Sequence, residues 1–138
     1  MNVKYVSKTH YSLVLLVLLA LVNCVAQDNS KMSIDDLLDH FSNDFEVTIT
    51  AFPIFQMIGA MDGRKVDLNR VGVEIYKFDI KDRSRKKMLD EITETGTSSV
   101  FMMSSSPMFV NGSFVLIIHE FGSVLSEREE VLNRFMEF

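Results

Sequence analysis

Arg83-Ser84-Arg85-Lys86-Lys87 is the one dense basic cluster in the chain. Four cations in five residues have the composition of a site for phosphate, a polyanion or an acidic partner surface. The same run is also what a solvated helix face looks like, although cations at a helix start oppose the helix dipole. His40 and His119 are the only histidines after residue 30. His119 follows an apolar stretch and stands beside Glu120, and Ser104-Ser105-Ser106 could supply a hydroxyl to a serine–histidine–carboxylate set. No Gly-x-Ser-x-Gly elbow accompanies them, and such sets are defined by geometry rather than by spacing. A histidine at a strand end with a hydrogen-bonded partner accounts for His119 equally well.

Met57, Met61, Met102, Met103 and Met108 bring a second chemistry to mind, since thioethers suit Cu(I). Met102 and Met103, as neighbours on a strand, would point to opposite faces, so core filling is the preferred reading of the group. Paired carboxylates such as Asp35-Asp36 and Glu129-Glu130 stand where a first helical turn favours acid. The chain holds no phosphate-binding Gly-rich loop, no metalloprotease helix motif and no calcium loop, and no cofactor is implied. Phe52-Pro53-Ile54-Phe55-Gln56-Met57-Ile58-Gly59-Ala60-Met61 is almost continuously apolar. Such a segment is either buried or a surface that docks something. Phe52, Phe55, Met57 and Met61, with Arg83, Arg85, Lys86 and Lys87, are the candidate binding residues.

Where these residues work is read from the first thirty. Lys4 and Lys8 precede the unbroken apolar run Leu13–Val22, and Cys24-Val25-Ala26 lead into polar Gln27-Asp28-Asn29-Ser30. A basic start, an apolar middle of about 7–15 residues and a small residue at the cut make a secretory signal. The run falls short of the roughly 20 apolar residues of a membrane span. Cleavage after Ala26 predicts a signal peptide over 1–26 and one domain over 27–138, secreted or periplasmic. Leu21-Val22-Asn23-Cys24 resembles the lipobox of bacterial lipoproteins, with Asn23 departing from the small residue wanted there. Lipidation at Cys24, the alternative, would make the protein a membrane-anchored lipoprotein.

Composition sets the remaining bounds. Cys24 is the only cysteine, so the domain itself can hold no disulfide and no thiol nucleophile. Without Lys4 and Lys8, 12 basic residues face 19 acidic ones, a net charge of about −7. That disfavours nucleic acid as a partner, and a membrane as well unless Cys24 is lipidated.

The elements that must position the candidates follow from periodicity. Gln27–Met32 reads as a polar lead-in. Ser33 reads as an N-cap for a helix whose stripe is Ile34, Leu37, Leu38 and Phe41, ended by Ser42-Asn43-Asp44. Phe45–Thr50 alternates as a strand with one buried face, and Pro53 could open a helix carrying Ile54, Met57, Ile58 and Met61. Asp62-Gly63-Arg64-Lys65 reads as a turn, and Val71–Phe78 as the strongest strand. A helix from Asp82 to Thr95 turns Met88, Leu89 and Ile92 inward and stops at Gly96. Asn111-Gly112 is read as the type I′ turn of a hairpin, with Ser99–Met103 in its first arm and Ser104–Pro107 as an irregularity. The same turn reading is preferred to the glycosylation sequon Asn111-Gly112-Ser113. Val115–Ile118, apolar on both faces, should be covered on both sides. Ser126 and Glu129 read as a capping box for a last helix with Val131, Leu132, Phe135 and Phe138 inward.

Together these predict an α+β domain, a mixed or antiparallel sheet of about four strands with three to four helices packed on it. The layout resembles small exported bacterial domains of unknown function over Leu37–Phe41, Val47–Ile58 and Val73–Phe78. That resemblance implies an extracytoplasmic domain and assigns no activity. The function expected is a non-enzymatic binding or interaction module for a protein partner or a small apolar ligand. The alternative is a small hydrolase-like enzyme using His119.

Overall fold

A computed structural model describes residues 28–101, 106–119 and 122–138. The signal, its cut and Cys24, along with Met102–Ser105 and Glu120, lie outside the described residues. The described chain runs α1 (Ile34–Phe41), β1 (Val47–Ala51), a 3-10 turn (Phe55–Ile58), β2 (Asp62–Leu68), β3 (Val71–Lys77) and α2 (Arg83–Thr95). A second 3-10 turn (Ser99–Phe101), β4 (Met108–Asn111), β5 (Phe114–Ile118) and α3 (Leu125–Met136) complete it. The strands form one antiparallel sheet in the order β1-β2-β3-β5-β4, so the α+β expectation holds with five strands and three helices.

Side-chain alternation divides the sheet into two covered faces. On one, Val66, Leu68, Val71, Val73, Ile75, Phe114, Leu116 and Ile118 pack under Ile34, Leu37, Leu38 and Phe41 of α1 and Val131 and Phe135 of α3. On the other, Tyr76, Met108, Val115 and Ile117 pack under Met88, Leu89 and Ile92 of α2 together with Phe78 and Phe101. β5 is buried at all five positions, as its double-sided apolarity predicts. The helix caps at Ser33 and Asp82 form as read: the Ser33 hydroxyl accepts from Asp36 N–H, and Asp82 accepts from the Ser84 and Arg85 N–H groups. Gly96 ends α2 at φ 71°, in the left-handed region that favours glycine.

Several local readings are corrected by tertiary contacts. Asp62–Lys65 is the first half of β2, pairing Lys77 through Glu74, and not a turn. The two-residue connection is instead Asn69-Arg70, with Asn69 at φ 57° and bonded to Glu46 through both its backbone N–H and its side-chain oxygen. Pro53 opens no α-helix; the segment makes only the 3-10 turn Phe55–Ile58. β1 is an edge strand whose face is barely covered, with Val47 half-buried and Ile49 exposed. The loop of the last hairpin is Gly112-Ser113, one residue later than read. Only its first residue has positive φ, at 58°, which is the pattern of a type II′ turn rather than type I′. Ser99–Phe101 turns instead of joining β4. α3 begins two residues early: Val124 is its N-cap, and Glu127, not Glu129, accepts from the Val124 N–H.

The lead-in is not a solvated tail. Asn29 is buried, its amide donating to Asn111 O at 3.1 Å and its oxygen accepting from Ser113 N at 3.0 Å. Asn111 in turn donates to Phe135 O at 2.8 Å, so the sequon amide is engaged inside the fold. Asn29 thus closes the hairpin turn from 84 residues away. Asn29→Ala would leave a buried N–H and carbonyl without partners and should cost about 2 kcal/mol in urea unfolding. A loss of under about 0.5 kcal/mol would show that the turn does not depend on it.

Candidate functional site

Loop Phe52–Met61 leaves the end of β1 and folds back across β2. What lets it do so is Gly63: a Cβ there would sit 3.0 Å from Phe55 Cβ and 3.1 Å from Pro53 Cγ. Inside the loop, Phe55 and Ile58 pack against the α2-side core and Ala60 is buried. The remaining apolar side chains face out. Phe52 is 68 % exposed, Ile54 71 %, Met57 83 % and Met61 59 %. The core-filling reading therefore fits Met88 and Met108, both buried, and fails at Met57 and Met61. Phe55 is an anchor of the loop and not part of its outer surface. Each exposed side chain forgoes about 1.5–3 kcal/mol that burial would have supplied. Four of them fall in one ten-residue loop, a local concentration of exposed apolar side chains of the kind found at interaction surfaces.

The basic run is brought to the same place. Arg85 Nη1 donates to Ile58 O at 3.4 Å, and its guanidinium lies where a Cβ on Gly59 would stand. Gly59 has φ 70°, so neither the space nor the backbone suits a larger residue. Arg83 and Lys87 are exposed, and neither has a carboxylate partner among the described residues; Lys86 pairs with Asp90 at 3.0 Å. α2 carries its cations in the first turns and Asp90, Glu91 and Glu94 in its second half. Both placements oppose the helix dipole, at about 0.3–1 kcal/mol for a charge in a terminal turn. A local rule broken at several positions of one helix, beside an exposed apolar loop, is the pattern of a functional surface. Arg64, on β2, stacks over the Phe52 ring at 4.9 Å and is ion-paired to Asp62.

A second polar constellation lies on the same sheet face. Glu74 is its centre: Lys65 Nζ lies 2.7 Å away, the Tyr76 hydroxyl donates to it, and His119 Nε2 lies 3.2 Å from Oε1. Ser106 Oγ stands 3.4 Å from His119 Nδ1. The histidine thus has the hydrogen-bonded partner expected at a strand end, and that partner is Glu74. Sequence reading missed Glu74, Lys65 and Tyr76 because their convergence depends on the β2–β3 register, Lys65 opposite Glu74. Burial alone would raise the Glu74 carboxyl; hydrogen bonds from Lys65 and Tyr76, with the charges of Lys65 and His119, outweigh it and hold the group below its ordinary range. Burial, and then the Glu74 carboxylate, push the Tyr76 hydroxyl well above its usual value.

Clefts among the described residues also lie elsewhere. One, of about 410 Å³, is open and lined by Asp44, Glu129, Glu130 and Glu137 with Arg134 among them. The other, apolar and about 150 Å³, sits between Pro107, Phe109, Ile118, Leu125 and Leu132. It is smaller than the roughly 300–1,000 Å³ of a small-molecule pocket. Among the described residues no group of three or more His, Cys, Asp or Glu side chains could hold a metal ion. None of the described helices is long and apolar enough to cross a membrane.

The depressed Glu74 carboxyl gives a signed prediction. Its contribution to stability is complete above the unfolded value of 4.5 and is lost as pH falls through the lower folded value. Glu74→Gln has no such contribution, so urea unfolding should show a larger deficit for the variant near pH 6 than near pH 3. A deficit independent of pH would mean that the carboxylate is not held by these partners.

Comparisons with known proteins leave the surface to speak through its chemistry: no family model matches the chain, and neither the curated proteins nor the solved structures contain a match.

Proposed function

We propose that this protein is an exported, non-enzymatic binding module whose working surface is the outward side of loop Phe52–Met61 and the adjoining start of α2. The observation that carries the reading is the split within the loop. Phe55 and Ile58 hold it to the core, while Phe52, Ile54, Met57 and Met61 are exposed, the largest group within one segment among the ten exposed large apolar residues of the described chain. An anchored loop can present apolar side chains without unravelling, and the anchor makes the presentation a defined one. Export rests on the basic-apolar-small pattern of residues 4–26.

Ser106, His119 and Glu74 favour a second reading, a hydrolase-like site. Glu74 would fix the imidazole with Nε2–H toward itself and leave Nδ1 to accept from the serine. Against it stands the load on Glu74, which Lys65 and Tyr76 already engage and whose basicity they lower. Labelling of Ser106 by a fluorophosphonate probe, absent in His119→Ala, would replace the binding reading with this one.

The binding reading is tested at exposed positions. Ile54→Asp and Met57→Asp should leave unfolding free energy within about 0.5 kcal/mol of wild type, since neither side chain is buried. A photo-crosslinking amino acid at Met57, expressed in the native host, should give a discrete adduct that the same group at Glu46 does not. Equal labelling at the two positions, or unfolding by Ile54→Asp, would refute the surface.

A further inference from the structure

Three parts of the chain that are distant in sequence meet at one end of the sheet. β2 starts at Asp62 opposite Lys77, the last residue of β3, and Lys77 stands opposite Phe114, the first of β5. Loop Phe52–Met61 enters β2 at this end. The start of α2 reaches it too, through Arg85 against Ile58 and Gly59. The third part is the point where the chain arrives from residues 1–27. Asn29 is fixed to the Gly112-Ser113 turn, and Met32 O accepts from Lys77, so Asp28 lies at the same end.

We propose that this end of the domain rests on a phospholipid bilayer. Phe52, Ile54, Met57 and Met61 enter the boundary between headgroups and acyl chains, and Arg83, Arg85 and Lys87 meet lipid phosphates. The inference rests on the binding-surface reading above and names its partner. Charge complementarity is the first argument. Arg83 and Lys87 have no carboxylate partner among the described residues, whereas the layer across the sheet carries Glu127, Glu129, Glu130 and Glu137. The first turns of α2, with four cations over 83–87, meet an anionic surface more favourably than α3 and its C-cap, where Glu127, Glu129, Glu130 and Glu137 outnumber Arg128 and Arg134. Chain connectivity is the second. Cys24 lies four residues before Asp28, so even a fully extended backbone separates them by no more than about 14 Å. A lipid on Cys24, or a retained Leu13–Val22 segment, would deliver this end of the domain to the membrane. A single acyl chain holds a protein only marginally, and stable attachment takes a second signal such as a basic patch. The loop and the start of α2 supply that second signal beside the tether.

The test uses the full chain reconstituted with vesicles of phosphatidylcholine, with or without phosphatidylglycerol. An environment-sensitive fluorescent amino acid replaces Met57, Ile54 or, as the control at the far end of the sheet, Glu46. With phosphatidylglycerol present, emission at positions 57 and 54 should shift to the blue and be quenched by spin-labelled acyl chains, while position 46 stays in water. R83E/K87E should weaken the effect at least about tenfold, since each surface cation contributes about fivefold. Position 57 as water-exposed as position 46 would overturn the proposal. A discrete protein adduct from the Met57 crosslinker, with the vesicle probe in water, would keep the binding module and remove the lipid. Failure of both would remove both. Near-ultraviolet circular dichroism confirms folding of each labelled chain, and concordance of positions 54 and 57 guards against a local artefact.

Discussion

A single strand sets the plan of this molecule. β5 is Phe-Val-Leu-Ile-Ile, with no polar residue on either face, and all five side chains are buried. An antiparallel strand usually shows one face to water. This one cannot, so the chain must provide cover on both sides. α1 and α3 lie across Phe114, Leu116 and Ile118, and α2 lies across Val115 and Ile117. The hairpin that delivers β5 must be held in register, because a slip of one residue would exchange the two faces. Asn29 and Asn111 secure that register by tying the turn to the lead-in and to the end of α3. The first described residues and the last helix are thereby fastened to the same two-residue loop.

Cover on the α2 side is incomplete, and the uncovered part is where the chemistry collects. α2 lies over β3, β5 and β4, leaving β1 and β2 to be screened by loop Phe52–Met61 and by the Lys65–Glu74–Tyr76–His119 group. A carboxylate with only 14 % of its side chain exposed needs every partner it has. Lys65 comes from the neighbouring strand, Tyr76 from two residues along its own, and His119 from just beyond β5. The group serves as a polar seam between the α2 core and solvent, and it explains why a charged residue is tolerated in the middle of the best-buried sheet.

Much of the fold was legible because its signals are local. Ser33 and Asp36 form a reciprocal cap within one turn, Gly96 stops α2, and the stripes Ile34-Leu37-Leu38-Phe41 and Met88-Leu89-Ile92 follow the helical period without interruption. What was not legible depends on contacts across the chain. Asp62-Gly63-Arg64-Lys65 has the composition of a turn, yet its glycine is there so that Pro53 and Phe55 can cross the strand, and Arg64 is there to stack on Phe52. Asn29 sits in a stretch indistinguishable from a linker until Ser113 is placed beside it. Ser126 and Glu129 have the spacing of a capping box, but α3 starts earlier, where Glu127 can accept from Val124 and also pair with Arg70 in the β2–β3 turn. Asn29 carried no local signal at all and its partner lies 84 positions away, whereas Asp62–Lys65 and Ser126–Glu129 were noticed as special and assigned the wrong role, because the contacts that use this part of the chain come from loop Phe52–Met61 and from Arg70. The candidate surface was half-legible for the same reason. Its two segments were each unusual in sequence, but only the fold puts Arg85 against Gly59.

That juxtaposition bears on how an acidic chain can carry a local basic cluster. Net charge acts at long range and is screened over about 8–10 Å at ordinary salt, whereas contact energies depend on charges within that distance. α1, α3 and the second half of α2 hold nine of the 19 acids, while Arg83, Arg85 and Lys87, which have no carboxylate partner among the described residues, stand in the first turns of α2. Reversing that order along α2 would improve the helix and erase the polarity. Asp82 as N-cap, accepting from two backbone N–H groups, offsets part of the dipole penalty and lets the helix start among four cations. Stability is conceded in the same place twice, once in charge order on α2 and once in unburied apolar area on the loop beside it. Two independent concessions on adjoining segments are hard to account for by packing, which would relieve either one by turning a few side chains inward. They are what the proposed contact with something apolar and anionic would require.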